Sequence, residues 1–279
     1  MDVSELLVLY AQGERDFRGL DLSGANMANL DLSEINLRSS DLRETNFSGT
    51  RLKGANLREV KLSGAKLHGT DLWEVNLIGA DLYQANLTEA RLNASNMSRS
   101  NVELANFERA DLSLALVNEA KLSGSNLTGT KLRDANLSRA NLTEANLTRA
   151  SMEGANLTLT ILTRSVLEEA TLIGATLNGA NLSGANLKAA DLSRANMGGS
   201  NLAGADFRGA RLRGANISWT TLRGVNLHRA SLYRANLGWS NLTGADLTEA
   251  ILIDANLYRV NLRDAKLAGA IMPDGNAYE

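Results

Sequence analysis

The chain has 279 residues and a formal net charge of -2, so its overall charge gives no pull toward nucleic acid or an anionic membrane. It contains no cysteine, which excludes disulfides and thiolate metal sites. Aromatic residues make up 4% and there is one proline, Pro273, so any core must be built from small and aliphatic side chains. In chain order, the first element is a short amphipathic helix over Val3 to Gln12, with Leu6, Leu7, Leu9 and Tyr10 available to cover the start of the next element. Its apolar stretch, Leu6 to Ala11, is too short to span a bilayer and lacks the basic flank and cleavage pattern of a signal peptide. The expectation is a soluble, cytoplasmic protein with residues 1–16 as an amino-terminal cap.

From Phe17 to Met272 every fifth residue is Leu, Phe, Met, Ile or Val: Leu22, Met27, Leu32, Leu37, Leu42, Phe47 and onward without a break. Two residues before each stands a small side chain, as in Ala25, Ala55, Ala145 and Ala235. One residue, commonly Asn or Asp, separates the two, which predicts a three-residue strand with two side chains in and one out. The other two positions are rich in Gly, Ser, Thr, Glu and Arg, and glycine at the second of them, as in Gly24, Gly54 and Gly244, suits the positive φ of a type II turn. An α-helix cannot satisfy a five-residue period, because five steps of roughly 100° leave the face. Four right-angled units instead close a coil of twenty residues, and the next coil stacks on it about 4.8 Å away. Residues 17–272 are thus a solenoid, and residues 273–279 a carboxyl-terminal cap or tail that shields the last coil from end-to-end pairing.

The triplets Ala25-Asn26-Met27, Ala85-Asn86-Leu87, Ala135-Asn136-Leu137 and Ala245-Asp246-Leu247 resemble the A(D/N)LXX consensus of the pentapeptide-repeat family, over about nine-tenths of the chain. The resemblance implies an all-β fold, a right-handed quadrilateral β-helix of about 13 coils. The ends, Glu5-Leu6-Leu7 through Tyr10, Gly13, Arg15 and Phe17, and Gly269 through Gly275, resemble a cyanobacterial HetL-like subgroup. That resemblance implies a role in signalling or cell differentiation of the heterocyst-regulating kind.

Outward positions carry what chemistry there is. One column, read at twenty-residue spacing, runs Asp31, Arg51, Asp71, Arg91, Asp111, Lys131, an alternating ladder of opposite charges. Asn recurs in the corresponding place on two opposite faces, as at Asn26, Asn36, Asn46 and Asn56, where stacked amides can bond to one another. The two histidines, His68 and His228, lie eight coils apart, about 38 Å, too far to share a metal. No phosphate loop, zinc spacing or nucleophile elbow stands outside the repeat, so no enzyme activity and no cofactor is expected.

Large apolar side chains at outward positions mark candidate contacts with a protein partner. Trp219 and Trp239 fall on one corner, with Tyr258 and Arg259 on the next coil. Leu114 with Leu116, and Leu159 with Ile161, place aliphatics where polar groups are usual. A basic set, Lys188, Arg194, Arg208, Arg211, Arg213, Arg229 and Arg234, falls on two adjoining faces where an anionic partner could dock, although Asp191 offsets Arg211. The sequence reads as a monomeric, non-catalytic interaction module that binds a protein, with no direct nucleic-acid or membrane contact. The alternative is a DNA-mimicking regulator or inhibitor of DNA gyrase, an activity that the family resemblance brings with it. Mimicry needs uncompensated rows of carboxylate, and here cations interrupt the row.

Overall fold

The computed structural model describes residues 1–279 as two compact units, Met1–Asn141 and Leu142–Glu279. Both are built from the same pentapeptide. Its inward residue donates to a carbonyl one coil ahead, as in Leu32 N to Arg51 O (2.8 Å) and Leu192 N to Arg211 O (2.7 Å). The residue before it forms a parallel bridge with the residue twenty positions on, for example Asp31 with Arg51 and Asp191 with Arg211. Four pentapeptides therefore make one coil in each unit.

The expected three-residue strands do not form. The inward leucine already begins a turn, its carbonyl accepting from the N–H three residues later, as in Ala55 N to Leu52 O (3.0 Å). Each wall is left with a single bridging residue, so the fold is a stack of isolated parallel bridges joined by turns.

The left-handed corners are not confined to glycine. Gly54 has φ +66°, as a type II turn requires, yet Glu59 (+58°), Arg139 (+59°), Leu159 (+58°) and Trp219 (+59°) hold the same left-handed conformation with full side chains. An L-residue there costs about 1–2 kcal/mol. The ladder holds it in place, as where Glu59 N donates to Ile78 O at 3.0 Å. The side chain then lies over the following coil: Glu34 over Gly54, Arg194 over Gly214.

Inside, the inward leucines from Leu22 to Leu252 and the phenylalanines Phe47, Phe107 and Phe207 are buried, with alanines between them, whereas Leu257, Leu262 and Leu267 near the carboxyl terminus are half-buried. Serine and threonine replace alanine where a carbonyl can accept their proton, as in Thr45 Oγ1 to Leu22 O (3.0 Å) and Ser240 Oγ to Ile217 O (2.6 Å). Ser95 and Ser100 are exceptions, their hydroxyls buried without a partner. In the second unit the axis between Leu202 and Leu237 is an apolar seam with no room for water.

Each unit also carries one chain terminus. Helix α1 (Val3–Ala11) is N-capped by Asp2, whose Oδ1 accepts from Glu5 N at 2.9 Å. Leu6 is buried and Leu7, Leu9 and Tyr10 are half-buried. The Tyr10 hydroxyl donates to Ser33 O (2.9 Å), and the Arg15 guanidinium lies 3.9 Å from the ring centroid. At the other terminus the tail folds back antiparallel: Met272 N donates to Asn276 O and Tyr278 N to Ala270 O, both at 2.7 Å. Ile271 and Ala277 pair there, occupying part of the backbone edge of the last coil.

Candidate functional site

The second unit has one corner column, read at twenty-residue steps, of unusual composition: Leu159, Gly179, Gly199, Trp219, Trp239 and Arg259. Because left-handed corner side chains lie over the next coil, Trp219 and Trp239 stack, with ring centroids 4.8 Å apart and planes 6° from parallel. The spacing is that of the coils themselves. Tyr258 meets Trp239 edge-on at 5.8 Å. Arg259 caps the stack, its guanidinium 4.4 Å from the Trp239 centroid and 5.4 Å from the Tyr258 centroid. The sequence-predicted set of Trp219, Trp239, Tyr258 and Arg259 is therefore brought together as one cluster. It is exposed: 66% for Trp219, 41% for Trp239 and 59% for Tyr258.

The adjoining wall is an asparagine ladder. Asn216 Nδ2 donates to Asn196 Oδ1 (3.0 Å), Asn236 Nδ2 to Asn216 Oδ1 (3.2 Å) and Asn256 Nδ2 to Asn236 Oδ1 (2.9 Å). Each of these carbonyl oxygens also accepts the backbone N–H two residues on, as Asn216 does from Ser218. Stacked amides thus fix the wall from which the tryptophan corner turns. No carboxylate lies on this wall, on the tryptophan corner, or on the next wall at Asn181, Asn201, Thr221, Asn241 and Asn261.

The aliphatic candidates are dispersed. Leu114 is 62% exposed, and Leu116 takes an Asn position between Asn96 and Asn136. Leu159 leans over Gly179, and Ile161 bridges Asn181. Leu104, which no sequence pattern singled out, is likewise exposed and lies over Gly124.

Most of the predicted basic set is paired. Lys188 meets Glu168 (3.3 Å), Arg208 meets Asp206 (2.6 Å), Arg211 meets Asp191 (3.0 Å), Arg229 meets Glu249 (2.7 Å) and Arg234 meets Asp254 (3.1 Å). Burial alone would raise the Asp206 carboxyl, but Arg208 and its backbone N–H bring it below the usual carboxylate range. Arg194 and Arg213 have no carboxylate partner. With Arg234 they line a cleft whose floor is Gly214. Arg213 and Arg234 also flank the Tyr233 ring, at 5.3 and 4.9 Å, a contact that no column of like residues announced in the sequence. In the first unit the charge ladder forms as spaced, with Arg51 to Asp31 at 2.7 Å, Arg91 to Asp71 at 3.8 Å and Lys131 to Asp111 at 3.9 Å. No group of three or more His, Asp or Glu side chains converges as metal ligands would, and no helix is long and apolar enough to cross a membrane.

The family model for pentapeptide repeats matches eight times, in segments between residues 16 and 272. No curated protein matches the chain. Among solved structures, HetL, a pentapeptide-repeat protein involved in heterocyst differentiation regulation from the cyanobacterium Nostoc sp. strain PCC 7120, is 32% identical over 100% of both chains, with a TM-score of 0.27. A pentapeptide-repeat protein from the Arabidopsis thaliana thylakoid lumen is 33% identical over 42% of this chain and 68% of its own, with a TM-score of 0.27. Trypsin-treated QnrB1, a plasmid-mediated fluoroquinolone resistance protein, is 19% identical over 72% of this chain and 90% of its own, with a TM-score of 0.34. With the five-residue period, the twenty-residue register and the family matches in agreement, the chain belongs to the pentapeptide-repeat family.

Proposed function

We propose that the protein is a non-catalytic binding module that holds another protein against the Trp219–Trp239 corner. The observation that carries this reading is the exposed stack itself: two parallel indoles, a tyrosine edge and an arginine, on a unit whose other outward side chains are mostly small or polar. Tryptophan, tyrosine and arginine are enriched among the few residues that dominate binding energy at protein interfaces, and a corner set by the backbone ladder loses little conformational freedom on docking. A convex wall without converging acids, bases or nucleophiles offers substrate chemistry nothing to work with. The finer form of this reading is a cytoplasmic regulator of cell differentiation, in keeping with the resemblance of its end motifs. Ion pairing along the Asp31 to Lys131 column speaks against DNA mimicry, because every carboxylate in it has a cation as its ladder neighbour.

The test is affinity purification from the native cell, followed by mass spectrometry, with the wild-type protein and a Trp219→Ala/Trp239→Ala double variant as baits. The expected result is a partner retained by the first and lost by the second. Equal recovery by both would remove the corner from the interface.

A further inference from the structure

The two tryptophans are not equally covered. In this column each side chain shields the one on the following coil, so Trp219 covers Trp239 and Trp239 leads to Arg259. The residue that should cover Trp219 is Gly199, which has no side chain, and the position before it is Gly198. A Cβ placed on Gly199 would meet nothing within 4 Å. The next large side chain up the column, Leu159, leans over Gly179. Trp219 therefore presents a bare indole face above a floor of glycine, and is 66% exposed against 41% for Trp239. The stack from Arg259 through Trp239 to Trp219 is one member short.

The chemistry of the missing member comes from the surrounding charge. The column already ends in Arg259, and the neighbouring walls carry no carboxylate, so nothing there draws a second cation. One wall away, on the preceding corner of the same coils, Arg194 and Arg213 line the cleft above Gly214 without a carboxylate partner. Only Asn196 and Asn216 of the amide ladder lie on the wall between the two corners at that level.

We propose that these two corners together receive an acidic protein segment bearing an aromatic side chain, the ring stacking on the open face of Trp219 and a carboxylate seated at Arg194 and Arg213. The proposal rests on the protein-binding reading above and states the chemistry of the segment that would be bound. The glycine at 199 is then a functional vacancy rather than a corner that needs glycine. Leucine occupies the same turn position at 159, with φ +58°, and is accommodated there.

The test titrates the full-length protein with a blocked acidic peptide containing one central phenylalanine, followed through the three indole N–H signals in nuclear magnetic resonance. Trp219 should shift most and Trp239 less, while Trp73, which sits in the first unit under Lys53, should stay fixed. Gly199→Leu fills the slot and should weaken binding about tenfold or more, whereas Gly204→Leu, at another open corner, should leave it unchanged. Charge reversal at Arg194 and Arg213 should weaken the acidic peptide to a similar degree and favour a lysine-substituted version. The proposal is overturned if Gly199→Leu binds as the wild type does, or if the lysine version binds the wild type equally well. It is also overturned if a neutral oligosaccharide moves Trp219 and the peptide does not, or if the indole shifts track protein concentration alone, which would put a second copy in the slot. Loss of the native partner on Trp219→Ala/Trp239→Ala together with an unaffected Gly199→Leu would retain the protein-binding reading and reject only the slot.

Discussion

Corner positions counted at the same twenty-residue steps along the sequence read differently in the two units. In the first they run Gly19, Ser39, Glu59, Gly79, Arg99, Glu119 and Arg139; in the second they run Leu159, Gly179, Gly199, Trp219, Trp239 and Arg259. The inward residues beneath are interchangeable, Leu57 and Leu77 in one, Leu157 and Leu177 in the other, all buried. The backbone is also alike, since Glu59 and Trp219 share a φ near +60°. Two of five positions thus determine the coil, and the remaining three are free to carry charge, amide or ring. Outer composition, not the pentapeptide architecture, is where the units differ.

The comparison breaks if the interiors are not equivalent, and the largest expected effects probe that. Phe107→Ala and Phe207→Ala each remove a fully buried ring and should each cost about 3–5 kcal/mol in denaturant unfolding. A loss in one unit several-fold larger than in the other would show that the shared period hides different cores. Next in size, Ser95→Ala and Ser100→Ala should raise stability by about 1–3 kcal/mol each, because each removes a buried hydroxyl with no partner. Thr45→Ala should do the opposite, since its hydroxyl is bonded to Leu22 O.

Smaller effects sharpen the contrast between the exteriors. Trp219→Ala should cost only about 0.5–1.5 kcal/mol, the worth of one stacked pair, leaving the melting temperature within a few degrees of wild type. Arg51→Ala in the charged column should cost less than about 1 kcal/mol, and salt should erase the difference. Acid should act on both units in the same direction. The Ser33 hydroxyl and N–H, with Arg51, hold the Asp31 carboxyl below its ordinary range, and the Thr248 hydroxyl and N–H do the same for Asp246. A carboxyl with a lowered folded-state pKa contributes stability above its unfolded value of about 4 and loses that contribution as pH falls through the folded value. Thermal melts below about pH 4 should therefore fall, and Ser33→Ala should make the fall shallower.

Much of the molecule is legible in the sequence because a strict period turns sequence distance into spatial adjacency. Spacing by five places the core, and spacing by twenty pairs Trp219 with Trp239 and Asp31 with Arg51. Contacts that ignore the period escape such a reading. Arg208 bends back to Asp206 two residues away, which helps neutralise a patch that looks cationic by composition. Arg229–Glu249 and Arg234–Asp254 do obey the twenty-residue step, but at corners, where side chains meet only because the left-handed backbone lays each one over the next coil. The short bridges in place of strands, and the left-handed Glu, Arg and Trp corners, arise from the turn hydrogen bond and the ladder acting together. Local propensity, which favours glycine there, does not anticipate them.

The most direct measurement is amide hydrogen exchange on the full-length protein, with and without the captured partner. The account predicts slowed exchange at Trp219, Trp239 and the residues flanking them, with no change at Ser39, Glu59 and Arg99 in the matching column of the first unit. Protection confined to the charged columns of the first unit, with the tryptophan corner untouched, would contradict it.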